Sequence, residues 1–341
     1  MKKLVPILAL IIMLLTACQK SEPTGEDTPF PPAADFVLNP LTGLPVDPDF
    51  QARRPYAIMQ NNIKAALPQF GISKADIIYE LLAEGGITRL MCLYQNPTAA
   101  PQIGSVRSAR EYYYDIACGH NALYVHLGGS PGYYSLQASR KVAVVDFIKG
   151  TNNAGYWRDK GRLNAGKYEH SAFTSGERII ALSDSLKINM EYPDFAPVFN
   201  FSTSASIDPT LPANNISVNF SNYKTGVFLL DQDTKRYLVS QYGEPHIDGQ
   251  DGSQLATDNV FVLFAKTSSI SGDDAGRIDV NVTGSGSGYY FHGGNYVEFK
   301  WSRPNATSMF EYTLDDQSPL IVAPGTSYIC IIPIGNSLII R

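Results

Sequence analysis

The chain has 341 residues, 27 Lys and Arg against 32 Asp and Glu, a net charge of −5 and four cysteines. An acidic chain without long Lys/Arg runs is a poor match for nonspecific nucleic-acid binding, which needs clustered positive charge. The length leaves room for about two domains.

At the N-terminus, Lys2 and Lys3 form a positive n-region, and PILALIIMLL (6–15) is an apolar core too short to span a bilayer. LTAC at 15–18 resembles the lipobox of bacterial lipoproteins, which implies cleavage before Cys18 and a lipid on its thiol. This predicts a signal peptide over 1–17 and a lipidated, flexible tether over 18–38, rich in Pro, Ser, Thr and acids with little to bury. The expected location is the extracytoplasmic face of the bacterial cell membrane. Loss of Lys2 and Lys3 with the signal leaves 25 basic against 32 acidic residues, a net charge of −7.

Residues 39–195 alternate strand and helix patterns, which predicts a mixed α/β domain. YAIMQN (56–61) reads as a buried strand. IIYELLAEGGITRLMCLYQ (77–95) reads as a hairpin, because Gly85-Gly86 breaks it and Ile87, Thr88 and Tyr94 favour strands. A helix over about 107–118, a strand at 122–128, a helix from 130 to 137 and a strand at 142–148 follow. The stretch 174–189 then offers Thr174 or Ser175 as cap and Ile179, Ile180, Leu182 and Leu186 on one helical face.

Beyond residue 196 the helical periodicity vanishes. Seven strand-like runs follow, with hairpin chemistry at Asp231–Thr234 and at Gly293-Gly294. The fold class expected is therefore α+β or mixed: an N-terminal α/β domain, then a mostly antiparallel β sandwich or barrel over 196–341. Besides Cys18, the thiols Cys92, Cys118 and Cys330 allow at most one disulfide, and the apolar runs around Cys92 and Cys330 favour buried free thiols. No CxxC or HExxH spacing appears, so neither a metal nor a cofactor is expected.

NPLTGLP, RRPYAIMQNN, SKADIIYE, EGGITRLMCLY, GSVRSAR and YVHLGGSP, in that order, resemble the YerB-like family of bacterial lipoproteins, built from two consecutive domains of unknown function. The resemblance continues through YWRD (156–159), HSAFTS (170–175), EPHIDGQDGSQLATDNVFV (244–262) and GSGSGYYFHGG (284–294), covering nearly all of the chain after residue 38. It implies a lipoprotein with a mixed N-terminal and a β-rich C-terminal domain, and no established reaction. Ser171 follows the histidine of KYEHSAFTS where the family pattern leads one to expect asparagine.

Three stretches carry candidate chemistry. In GSVRSARE (104–111), Ser105 as a helix cap would place Arg107 and Arg110 on one face, suited to a phosphate, sulfate or carboxylate. The competing reading pairs them with Glu80 or Glu84. HLGGSPGYY (126–134) offers Gly128, Gly129 and Ser130 at a strand-to-helix turn, where backbone N–H groups can meet an anion, or simply a tight turn. It lacks both GK[ST] and GxGxxG. The polar loop 156–175 adds Arg158 and His170, the latter the best general acid/base candidate. His126, on an apolar strand, reads as a core side chain. Glu80 and Glu84, read on one strand, offer a weak glycosidase pair, and Ser130, His170 and Asp146 a weak triad without a GxSxG elbow.

The leading expectation is a membrane-anchored protein that binds an anionic envelope polymer or a partner protein through Arg107, Arg110, Gly128, Gly129, Ser130 and Arg158. The alternatives are a hydrolase of phosphate-bearing or glycosidic envelope material, with His170 and Glu84 moving protons, and a purely structural lipoprotein.

Overall fold

The computed structural model describes residues 37–140 and 142–341, so Cys18, the signal peptide and nearly all of the tether lie outside the described residues. The described residues form one compact unit. The first half supplies strands β1 (Tyr56–Asn61), β2 (Ile77–Leu82), β3 (Thr88–Tyr94), β4 (Leu123–His126) and β5 (Val144–Asp146), and helices α1 (Glu111–Gly119), α2 (Pro131–Ser139) and α3 (Gly176–Ser185). The second half supplies β6 (Asn215–Asn219), β7 (Thr225–Leu230), β8 (Tyr237–Gln241), β9 (Asn259–Ala265), β10 (Gly284–His292), β11 (Asn295–Arg303), β12 (Ser327–Pro333) and β13 (Leu338–Ile340).

The hairpin read around EGG is present. β2 and β3 pair antiparallel from Ile77 opposite Leu93 to Leu82 opposite Thr88, and Gly85 (φ +68) and Gly86 (φ +73) turn the chain where a side chain would be strained. The β7–β8 and β10–β11 hairpins also form.

The fold is mixed and strand-rich. An 11-stranded sheet runs β11-β10-β9-β12-β2-β3-β1-β4-β5, extended at the β11 end by two short strands. Its centre is parallel: Tyr328 of β12 lies beside Ile78 of β2, and Val260 of β9 beside Tyr328. The change in composition at residue 196 therefore does not divide the sheet. A six-stranded antiparallel sheet built on β8-β7-β6-β13 covers one face of it.

At its centre both faces are covered, which is why β1, β2 and β3 are buried throughout and read as continuous apolar runs. Ile58, Ile78 and Cys92 pack with Ile179 of α3 and with Ile216 and Phe228 of the second sheet. Met59, Tyr79 and Met91 face the opposite way, onto Tyr112, Tyr113 and Ile116 of α1. The tyrosine run of α1 is therefore core, and two of its three hydroxyls are satisfied by backbone: Tyr112 Oη donates to Leu82 O (2.7 Å) and Tyr113 Oη to Leu81 O (3.0 Å).

The helix predicted over 107–118 begins instead at Glu111, with Arg110 as its cap residue and no side-chain cap bond. Residues 105–110 are extended because neighbouring segments take their N–H groups. Val106 N donates to Ala172 O (2.8 Å), Arg107 N to Met59 O (3.0 Å) and Ala109 N to Gly128 O (2.8 Å). Ser105 is buried and caps nothing, so Arg107 and Arg110 share no helical face. Cys92, Cys118 and Cys330 are buried free thiols, and burial raises the pKa of each.

Candidate functional site

Arg110 and Arg107 have opposite fates. Arg110 is buried, and its guanidinium closes on Glu84, with Nε 3.1 Å from Oε2 and Nη2 on Oε1. Arg89, also buried, donates to the same Glu84 Oε1 at 2.7 Å and to Ser108 O at 2.7 Å. Burial alone would raise the Glu84 carboxyl, but Arg89 and then Arg110 overcome it and hold it at about 2. A group ionised so far below neutrality neither gives nor takes a proton usefully at pH 7. Glu84 is therefore corrected from a proton-transfer group to the counter-ion of two arginines, and Arg110 is withdrawn from ligand binding. Glu84 also lies beyond the end of β2, so it does not share a strand with Glu80.

The anion cradle at HLGGSP is occupied by the chain's own carboxylate. Ser130 caps α2, its Oγ accepting from Tyr133 N (3.2 Å) and donating to Glu111 Oε2 (2.8 Å). A Cβ on Gly132 would lie 2.0 Å from Glu111 Oε1, so this carboxylate sits directly over the first turn. The N-terminal end of the helix dipole thus faces Glu111. Gly128 (φ +74) donates its N–H to Asp146 Oδ1 at 2.9 Å, and a Cβ on Gly129 would strike Tyr133 at 2.4 Å. These three residues form a filled turn, correcting the ligand-binding expectation for Gly128, Gly129 and Ser130.

His126 is the core side chain expected. Its Nε2 is 2.6 Å from Tyr133 Oη and its Nδ1 2.8 Å from Gly128 O, and burial lowers its pKa to about 4. The triad is not assembled: Ser130 bonds Glu111, Asp146 bonds Gly128 N and Tyr134 Oη, and His170 bonds Asn61.

A small antiparallel sheet brings the remaining candidates together. Ala172–Thr174 pairs on one side with Ile103–Gly104 and on the other with Trp157–Arg158. Arg107 and Arg158 both reach the 168–171 turn that carries His170. Arg107 Nη2 is 2.9 Å from Glu169 Oε2, while Arg158 Nη1 donates to Tyr168 O (2.8 Å) and stacks 4.1 Å from the Tyr168 ring centroid. No ion pair to Arg158 is found among the described residues.

The Arg107–Glu169 pair is exposed, with 69% of the Glu169 side chain open to solvent. Such pairs contribute about 0–1 kcal/mol, so an incoming anion can displace Glu169. The Arg110–Glu84 pair is not open to such displacement.

His170 Nδ1 lies 2.9 Å from Asn61 Nδ2; with the amide donating, the ring proton resides on Nε2. Burial, then Arg107, lower the His170 pKa, so the ring is neutral at pH 7. Asn61 escaped the sequence reading because nothing local links residues 61 and 170. Glu111 was visible in the same eight residues as Arg110, but its partner is not.

A shallow depression of about 210 Å³ beside His170 is lined by Ala65, Lys167, Tyr168 and Glu169. A larger open one of about 650 Å³ lies elsewhere, bordered by Asp49, Asp184, Glu191 and Arg53. Three acids against one base make it the wrong place for an anion.

Residues 41–189 match the family described as protein of unknown function (DUF3048), N-terminal domain, and residues 216–329 its C-terminal domain. A Bacillus subtilis (strain 168) protein named "Putative lipoprotein YerB" is 30% identical over 340 residues, spanning 98% of this chain and 96% of its own. The chain belongs to the YerB-like family. The crystal structure of YerB from Bacillus subtilis superposes with a TM-score of 0.76 at 29% identity, covering 89% of this chain and 99% of that one. The YerB-like fold thus frames the Arg107–Arg158–His170 turn, and no helix among the described residues is long and apolar enough to cross a membrane.

Proposed function

We propose that this chain is a lipoprotein held at the extracytoplasmic membrane face through Cys18, and that it binds an anionic envelope ligand at the turn flanked by Arg107 and Arg158. The lipobox-like LTAC and the name of its Bacillus relative support the anchor.

One observation carries the binding reading. On an acidic chain, three guanidinium groups reach one turn, Arg107 with an exposed, displaceable carboxylate and Arg158 and Arg162 with no ion pair among the described residues. Guanidinium forks match phosphate and carboxylate oxygens, and neutral His170 adds a donor at Nε2. Binding needs no proton transfer, and the hydrolase alternative has lost Glu84 as its acid.

The test is a binding screen with peptidoglycan fragments and a phosphodiester polymer, wild type against Arg107→Ala/Arg158→Ala. A hit lost in the double variant supports the reading. Equal binding by both proteins removes the proposed site.

A further inference from the structure

Where the two sheets meet, Glu80, Lys224 and Asn62 are buried at 1%, 1% and 0% exposure. They come from three places: Glu80 from β2, Asn62 from just past β1, and Lys224 from the turn before β7. One carboxylate oxygen touches both others. Lys224 Nζ is 3.1 Å from Glu80 Oε1, and Asn62 Nδ2 is 2.9 Å from the same atom. Gln69 Nε2 donates to Asn62 Oδ1 at 2.7 Å, polarising that carbonyl. Tyr328 Oη donates to Glu80 Oε2 at 2.6 Å, and the Tyr242 ring lies 4.9 Å from Nζ.

We propose that Lys224 and Asn62 condense into an intramolecular isopeptide bond, with Glu80 as the proton carrier. Glu80 takes a proton from the Lys224 ammonium, and the neutral Nζ attacks Asn62 Cγ, forming the new C–N bond. Negative charge developing on Oδ1 is met by the Gln69 N–H. Glu80 passes that proton to Nδ2 and takes the second proton from Nζ, the Cγ–Nδ2 bond breaks, and ammonia leaves with Glu80 protonated. Amine plus carboxamide gives secondary amide plus ammonia, so no oxidant, reductant or cofactor enters.

Three physical features favour the step. Burial disfavours the ammonium form of Lys224 and lowers its pKa, which prepares a nucleophile. The folded chain holds amine and carboxamide against one oxygen, replacing a bimolecular encounter. That oxygen contacts both the nucleophile and the leaving nitrogen, as a proton relay requires. A covalent bond here would tie the first half of the chain to the second sheet.

The experiment is tryptic digestion of the denatured full chain, read by mass spectrometry. The expected result is a branched peptide joining the Asn62 and Lys224 segments, lighter than their sum by one ammonia and uncut at Lys224. Linear peptides accounting for all Asn62 and Lys224 in the folded protein would overturn the proposal. Glu80→Gln should yield no branch, and a branch persisting there would overturn the role of Glu80. Should that variant not fold, the wild-type digest still decides whether the bond exists. Gln241 Oε1 also accepts from Lys224 and its Nε2 has no partner, so a branch mapped to Gln241 would overturn the assignment to Asn62.

Discussion

Glu84→Gln isolates what the double-arginine clamp contributes. The substitution keeps the shape of the side chain and removes the charge that neutralises Arg89 and Arg110. The carboxyl falls from an ordinary 4.5 to about 2 on folding, a difference of roughly 2.5 units. At about 1.4 kcal/mol per unit this gives about 3.5 kcal/mol, reduced to about 2 kcal/mol for partial solvent screening. Because the folded value is the lower one, this stability is fully present above pH 4.5 and is lost as pH falls toward 2. Urea denaturation should therefore show Glu84→Gln less stable by about 2 kcal/mol at pH 7, with the gap closing from pH 4.5 downward. A gap below about 0.5 kcal/mol at pH 7, or one that does not change with pH, would refute the clamp as described.

Three further outcomes follow from the same geometry. Ser130→Ala removes the α2 cap and one bond to Glu111, and should lower stability by about 1 kcal/mol in urea titrations, without loss of ligand binding. Gly176→Ala would place a Cβ 1.8 Å from Pro97 O, a backbone atom, so a loss of about 1–3 kcal/mol is expected in the same assay. Burial lowers His126 to about 4 and His120 and His246 to about 3, from 6.5. The unfolded chain takes up these protons first, so stability should fall by about 3 kcal/mol or more between pH 6.5 and 4.5, before Glu84 contributes. Flat stability across that window would contradict three neutral buried imidazoles.

The hairpins were legible because their signals are local: a glycine pair between strand-like runs at Gly85-Gly86 and Gly293-Gly294. Ser175, read as a cap alongside Thr174, was legible for the same reason. The parallel pairing of β12 with β2 was not, since no short-range pattern links Tyr328 to Ile78. That pairing is what joins the two halves into one sheet. The helix start misread at Ser105 shows a second limit. The segment carries helix-compatible residues, yet Met59, Ala172 and Gly128 compete successfully for or beside its backbone N–H groups. The candidate site divided along the same line. The sequence showed both arginines of GSVRSARE and their possible acid partner, but only the buried Arg89 decides that Glu84 holds Arg110 and leaves Arg107 at the surface.

Whether Arg107 and Arg158 receive an anion is the central question, and the salt dependence of binding addresses it most directly. Calorimetric titration of polyglycerol phosphate should give an affinity that falls steeply with added salt. In Arg107→Ala/Arg158→Ala the affinity should drop about 100-fold, from about 1.5 kcal/mol per lost charge-assisted bond, with a shallower salt slope. Equal affinity and slope in the two proteins would contradict the account.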